Sequence, residues 1–278
     1  MIDYFSDLQI TVAQALAEDV RSGDITAQII DKSTKALAHV IAREDALICG
    51  RPWVDEVAKQ VDDALRLEWN LNDGDQVRAG EQLFAIEGRA RSILTAERTM
   101  LNFLQSLSGT ATQTQRYVAL IKDTKAAILD TRKTIPGLRL GQKYAVNMGG
   151  AVNHRIGLFD AFLIKGNHIK AAGSITAAIA RARQINSEVR VEVEVESLEE
   201  LEEAVSARPD WIMLDNFTIY DLHAACDLCR STKIMLEASG GIENEQNLKA
   251  IAATGVDYIS IGALTKHCRA IDLSMRID

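Results

Sequence analysis

From Asp130 onward the sequence repeats one unit: a short apolar run, a polar residue or glycine where it stops, then a stretch of helical periodicity. The runs lie at 126–129, 161–164, 189–195, 211–214, 234–236 and 258–261, and from Lys165 their ends recur about every 20 to 30 residues, the period of successive β/α units. Parallel strands need helix-sized crossovers, so six such runs in series predict a parallel sheet curled into an α/β barrel. The run ends are chemically capable: Asp130 and Arg132, Lys165, Glu194 and Glu196, Asp215, Glu237 and Ser239, and Gly262. C-terminal strand ends form one rim in such barrels, and active sites are built there.

Before residue 90 the pattern changes. Runs at 40–49, 64–71 and 77–86 read as strands, with turns at Asn72-Asp73-Gly74 and Arg78-Ala79-Gly80. The segment from Gly74 to Gly80 resembles the turn of biotinyl- and lipoyl-type sandwich domains, but no lysine stands near it to carry a group. The region reads as a structural sandwich. A helix is expected over 94–107, ending near Gly109, with Leu94, Leu101, Leu104 and Leu107 on its apolar face. Arg98, Asn102 and Gln105 form a polar stripe on another face, which alone reads as solvated surface.

A formal net charge of -8 argues against a nucleic-acid surface. The opening MIDYFSDLQI has no basic residue before its apolar stretch, unlike a secretory signal, and no apolar run approaches the ~20 residues that span a bilayer. A cytoplasmic protein with no membrane partner is expected. Cys226 and Cys229 form a CxxC, but the flanking pattern is helical and no second pair exists, so they read as semi-buried helical thiols.

In this acidic chain, residues 130–170 hold Arg132, Lys133, Arg139, Lys143, Arg155, Lys165 and Lys170, with Asp130 and Asp160 the only acids. Like charges held together repel by up to ~4 kcal/mol per close pair at intermediate dielectric, unless an anion or internal carboxylates offset them. Val191-Glu192-Val193-Glu194-Val195-Glu196 alternates, placing valine on one strand face and glutamate on the other. That second face must meet cations: Lys133, Lys165 or a bound metal. Glu194 with Asp215 suits Mg²⁺, which keeps several waters and leans on substrate phosphates. Ser239-Gly240-Gly241 and Ile261-Gly262-Ala263 end the last two runs as glycine-rich turns before helices, the usual monophosphate cradle of barrels.

Further local sequences sharpen this. Thr131-Arg132-Lys133-Thr134, Pro136-Gly137-Leu138-Arg139, Lys143-Tyr144-Ala145-Val146, Gly149-Gly150 and Asn153-His154-Arg155 run through the basic segment. Leu163-Ile164-Lys165, Asn167-His168, the Glu192–Glu196 alternation, Leu214-Asp215-Asn216, Ser239-Gly240-Gly241 and Gly262-Ala263-Leu264-Thr265 follow, and Ala17-Glu18-Asp19, Gly23-Asp24-Ile25-Thr26 and Ala96-Glu97-Arg98 precede. Together they resemble the quinolinate phosphoribosyltransferase family over almost the whole chain. Two departures are Gly166, where members often carry an acid, and Ala151-Val152, where a further glycine is common.

The resemblance implies an incomplete parallel α/β barrel over 109–278 and an N-terminal α+β sandwich with its linking helix over 1–108, the extreme C-terminus packing back on the latter. It implies transfer of phosphoribosyl from phosphoribosyl pyrophosphate to quinolinate with decarboxylation, giving nicotinate mononucleotide, pyrophosphate and CO₂, with Mg²⁺. It also implies a homodimer that shares its sites. Lys133, Lys165, Glu194 and Asp215 would be catalytic, with the metal on Glu194 and Asp215. Thr131, Arg132, Lys133, Arg139, His154, Arg155, Lys165 and the partner copy's Arg98 would bind substrate. Ser239, Gly240, Gly241, Ile261, Gly262 and Ala263 would hold the 5′-phosphate through backbone N–H groups. Three rivals remain at this point: a Schiff-base aldolase using Lys165, a paralogue with another acceptor, and a non-catalytic phosphate-binding protein.

Overall fold

A computed structural model describes residues 2–242 and 244–278. It contains two compact units that interleave along the chain. The first takes residues up to Gln115, then Thr134–Gly150 and Leu264–Asp278; the second takes Arg116–Lys133 and Ala151–Ala263. The chain first passes from one unit to the other within the 31-residue helix Ala90–Leu120.

The chain opens with α1 (Leu8–Asp19), β1 (Lys35–Ala42), β2 (Ala46–Leu47), α2 (Arg51–Val61), β3 (Arg66–Trp69), β4 (Gln76–Val77), β5 (Gln82–Arg89) and α3 (Ala90–Leu120). It continues with β6 (Ala127–Leu129), α4 (Arg139–Met148), β7 (Phe162–Ile164), α5 (Gly166–Ala172), α6 (Ile175–Ile185), β8 (Val191–Val195) and α7 (Leu198–Ala207). The remainder is β9 (Trp211–Asp215), α8 (Ile219–Cys229), β10 (Met235–Ser239), α9 (Glu245–Ala253), β11 (Tyr258–Ser260), α10 (Ala263–Lys266) and β12 (Leu273–Ile277).

In the first unit an antiparallel sheet has the order β12-β1-β5-β3. Ala38, Val40 and Ala42 alternate inward along β1, so one face packs into a core with Trp53, Phe84, Ile86, Leu104 and Leu107. The strand expected over 40–49 is split. It stops at Ala42, and β2 pairs with β4 in a separate ladder. The expected 77–86 strand also breaks, where Gly80 (φ 90°) turns and donates its N–H to the Ala42 carbonyl at 2.8 Å.

Helix α3 runs well past Gly109, where the sequence pattern placed its end. Glycine serves here for close approach instead: a Cβ at 109 would lie 2.1 Å from the Arg269 carbonyl oxygen. That close approach accounts for an interior glycine, which costs a helix roughly 1 kcal/mol in propensity.

The second unit is built on a six-stranded parallel sheet, order β6-β11-β10-β9-β8-β7. Val191, Val193, Val195, Ile212 and Leu214 are fully buried, as expected for strands covered on both faces. Ser174, Ser197, Thr218 and Asn244 cap α6, α7, α8 and α9 by accepting the backbone N–H three residues on, each cap worth about 1 kcal/mol. Successive crossovers keep all the strand ends on one rim. Among the described residues β7 pairs only with β8, while β6 pairs with β11 and meets Val152 in a bridge, so hydrogen bonds do not close the barrel.

Cys226 and Cys229 lie on α8, and burial pushes both thiols up, that of Cys229 to about 11. Among the described residues no helix is long and apolar enough to cross a membrane.

Candidate active site

The C-terminal ends of the second unit's strands surround a cavity of about 300 Å³. Its wall contains Thr131, Arg132, Lys133, His154, Arg155, Lys165, Glu194, Asp215 and Ser239, all singled out from the sequence. Strand register explains the arrangement. Glu194 and Glu237 both stand beside Met213, and Asp215 stands beside Ser239 one layer nearer the rim.

The cationic side begins after β6. Buried Asp130 accepts from the Asn153 amide at 2.7 Å and the His154 backbone N–H at 2.8 Å, tying the two basic segments together. Arg132 and Arg155 both line the cavity. Burial first, and the Arg132 charge second, pull the Arg155 guanidinium below its ordinary range. Arg132 Nε is buried without an acceptor. Two guanidiniums so placed leave donors for an anion to satisfy.

The glutamate face of β8 does meet cations. Glu194 pairs with Lys165, whose side chain is 47% exposed. Glu192, fully buried, lies 3.0 Å from His154 Nε2 and 3.7 Å from Arg190. Glu196 follows the end of the strand and is exposed. Its carboxylate and those of Glu194 and Asp215 each offer an oxygen within 4.8 Å of the others. An oxygen-only, solvent-open set of this kind fits a hard cation that keeps part of its water shell.

Below the rim sits a layer that the sequence pattern did not predict. Glu237, also fully buried, approaches His154 Nε2 at 3.2 Å. Among the described residues, neither its oxygens nor those of Glu192 have aligned hydrogen-bond donors. Burial alone would depress the His154 imidazole; the two glutamates more than offset this and hold it up at about 9. Burial drives the Glu237 carboxyl upward, against the pull of His154. Arg190 stacks on Trp211 at 4.0 Å from the ring centroid, and Trp211 stacks on Tyr258 at 4.3 Å. Glu237 is noted in the sequence only as a rim residue, because the apolar run stops at Leu236; β10 in fact continues to Ser239. Arg190 carries no sequence signal.

The two glycine turns differ in detail. Gly240 (φ 80°) and Gly241 (φ 64°) adopt left-handed conformations after Ser239. Gly262 backs onto the basic segment, since a Cβ there would meet the Lys133 side chain at 3.0 Å and Thr131 Oγ1 at 3.7 Å. Buried Ile261 precedes it, and Ala263 starts α10. Arg98 and Arg139 lie in the first unit and are not among the residues lining this cavity. Arg98 sits on α3 with its side chain 58% exposed, and Arg139 opens α4 and donates to Thr134 Oγ1 at 3.0 Å.

Fold and site together define a parallel α/β enzyme whose strand ends juxtapose paired cations, a carboxylate cluster and glycine-rich turns. Two family models match almost the whole chain: the quinolinate phosphoribosyl transferase N-terminal domain over residues 24–108 and the C-terminal domain over 110–276. The chain belongs to the quinolinate phosphoribosyltransferase family. It is 41% identical over 280 residues to the nicotinate-nucleotide pyrophosphorylase [carboxylating] of Mycobacterium leprae, covering 98% of this chain and 97% of that one. It is 39% identical over 293 residues to a quinolinate phosphoribosyltransferase [decarboxylating] of Nicotiana tabacum, covering 98% and 83%. The solved structure of the Francisella tularensis nicotinate-nucleotide pyrophosphorylase is similar at 47% identity and a TM-score of 0.95, covering 100% of this chain and 98% of that one.

Proposed function

We propose that this cavity binds quinolinate and phosphoribosyl pyrophosphate and joins them with loss of CO₂, giving nicotinate mononucleotide and pyrophosphate for NAD biosynthesis. The observation that carries the reading is the Arg132–Arg155 pair: two guanidiniums lining one cavity, that of Arg132 with a buried Nε that lacks an acceptor among the described residues. A pyridine with two neighbouring carboxylates answers both. His154, Lys165 and Thr131 complete that end of the pocket, and Arg98 of a second copy would cover it. Arg139 keeps a substrate-binding role on family membership.

Lys133 and Lys165 neutralise the pyrophosphate as it leaves ribose C1 and positive charge builds on the sugar. Glu194 and Asp215 would hold Mg²⁺, with Glu196 close enough to assist. When bound, the metal supplies charge neutralisation at the pyrophosphate. Ser239, Gly240 and Gly241, with Ile261, Gly262 and Ala263, hold the 5′-phosphate by backbone N–H groups. The quinolinate ring nitrogen attacks C1 and becomes cationic. It then accepts the electron pair left when the adjacent carboxylate departs as CO₂, and that carbon takes up a proton.

The Lys165–Glu194 pairing speaks against a Schiff-base lysine, which needs a drier pocket without a facing acid. A homodimer in the cytoplasm is part of the proposal. Leu158 and Phe159, 73% and 80% exposed beside Arg155, offer apolar surface for a second copy. Incubating the protein with quinolinate, phosphoribosyl pyrophosphate and Mg²⁺ is expected to yield nicotinate mononucleotide; no product under these conditions overturns the proposal.

A further inference from the structure

Asn216 follows Asp215 at the end of β9 and adopts the left-handed conformation (φ 57°), which few residues other than glycine, asparagine and aspartate tolerate. From that position it reaches two parts of the site. Its Nδ2 donates to Asp215 Oδ2 at 3.1 Å, and its backbone N–H donates to the Ser239 carbonyl at 2.8 Å. The turn that follows Ser239 is fitted against it. A Cβ on Gly240 would lie 2.1 Å from Asn216 Oδ1 and 3.2 Å from its backbone nitrogen.

We propose that Asn216 is a positioning residue that fixes the Asp215 carboxylate relative to the Ser239–Gly241 turn. The inference rests on the function proposed above, in which these two features grip opposite ends of phosphoribosyl pyrophosphate. One substrate then has to find its pyrophosphate site and its 5′-phosphate site at a set separation, and holding both before binding lowers the ordering cost. Asparagine meets three demands at once. Its backbone tolerates the left-handed state, its amide donates to the carboxylate, and its bulk supports the turn under Gly240. Aspartate would place a second negative charge beside Asp215, and glycine would keep the backbone shape while losing the donor and the support.

The test is Asn216→Gly, which leaves the positive φ permitted and removes the amide. Calorimetric titration with phosphoribosyl pyrophosphate plus Mg²⁺, titration with ribose 5-phosphate alone, and steady-state kinetics are read together. The variant is expected to bind phosphoribosyl pyrophosphate roughly ten-fold more weakly and to raise its KM similarly. Its KM for quinolinate and its melting temperature stay near wild type. Ribose 5-phosphate is expected to weaken as well, because the turn is no longer supported. Equal affinity of Asn216→Gly and wild type for phosphoribosyl pyrophosphate overturns the positioning role alone, as does an equal loss for quinolinate, which marks a merely structural residue. A wild-type protein that binds no phosphoribosyl pyrophosphate overturns the site reading and this role with it.

Discussion

At the residue scale, the cavity depends on charges held where water alone cannot compensate them. In the proposed function Arg132 and Lys165 are cations that would face the substrate anions, and Arg132→Ala or Lys165→Ala is expected to lower kcat/KM at least 100-fold, on the scale of a lost charge-assisted contact. Steady-state rates with quinolinate varied check this; a loss below ten-fold contradicts the assignment. His154 makes a pH prediction. Its imidazole is held at about 9, above its ordinary 6.5, so the protonated form is the one the fold favours. The stability it contributes is complete below pH 6.5 and is lost as the pH climbs toward 9. Urea midpoints should fall across that window in the wild type and fall less in His154→Gln. Glu192 and Glu237 would then lose their common counter-charge, so the variant is expected to be less stable than wild type at pH 6.

At the scale of elements, the parallel units were readable because each apolar run is short, and a polar rim residue marks where it stops. The Glu192–Glu194–Glu196 face announced a charged barrel interior, and Lys165 was found opposite Glu194. What stayed hidden has a physical reason. Glu237 is a charged residue inside a strand, so it truncates the apolar signal one layer before β10 ends. The His154–Glu192–Glu237 layer pairs residues far apart in sequence, and no local pattern encodes that. The stretch at 40–49 divides at the charged Arg43-Glu44-Asp45, and β1 and β2 on either side of it belong to different ladders. Gly109 reads as a helix stop, since glycine lowers helix propensity, yet its use is the approach of the Arg269 carbonyl. Gly109→Ala should therefore destabilise the protein by about 1–3 kcal/mol through overpacking, against the gain expected at an open helical site. Denaturant unfolding measures this, and a stabilised variant contradicts the packing argument. Gly166 is the contrasting case: among the described residues a Cβ there meets nothing within 4 Å, so a side chain would fit sterically.

At the scale of the whole molecule, the chain weaves between two units, and β12 completes the sheet of the first. The proposed second copy enters through Arg98, which the sequence pattern by itself placed on a solvated stripe and which is exposed, with Glu97 at 4.0 Å. Mixing Arg98→Ala with Lys165→Ala protein, each nearly inactive alone, should restore activity to roughly a quarter of wild type once subunits exchange, because one of the hybrid's two sites regains both residues. Failure to complement after verified exchange contradicts a shared site.

In the proposed function one pocket takes a pyridine dicarboxylate and expels one of its carboxylates after the sugar is attached. Quinolinate labelled in the carboxyl group beside the ring nitrogen tests this directly, with phosphoribosyl pyrophosphate, Mg²⁺ and the wild-type protein. Labelled CO₂, pyrophosphate and nicotinate mononucleotide are expected in equal amounts, with little product when nicotinate replaces quinolinate. Pyrophosphate released without CO₂, or nicotinate accepted as readily as quinolinate, would contradict it.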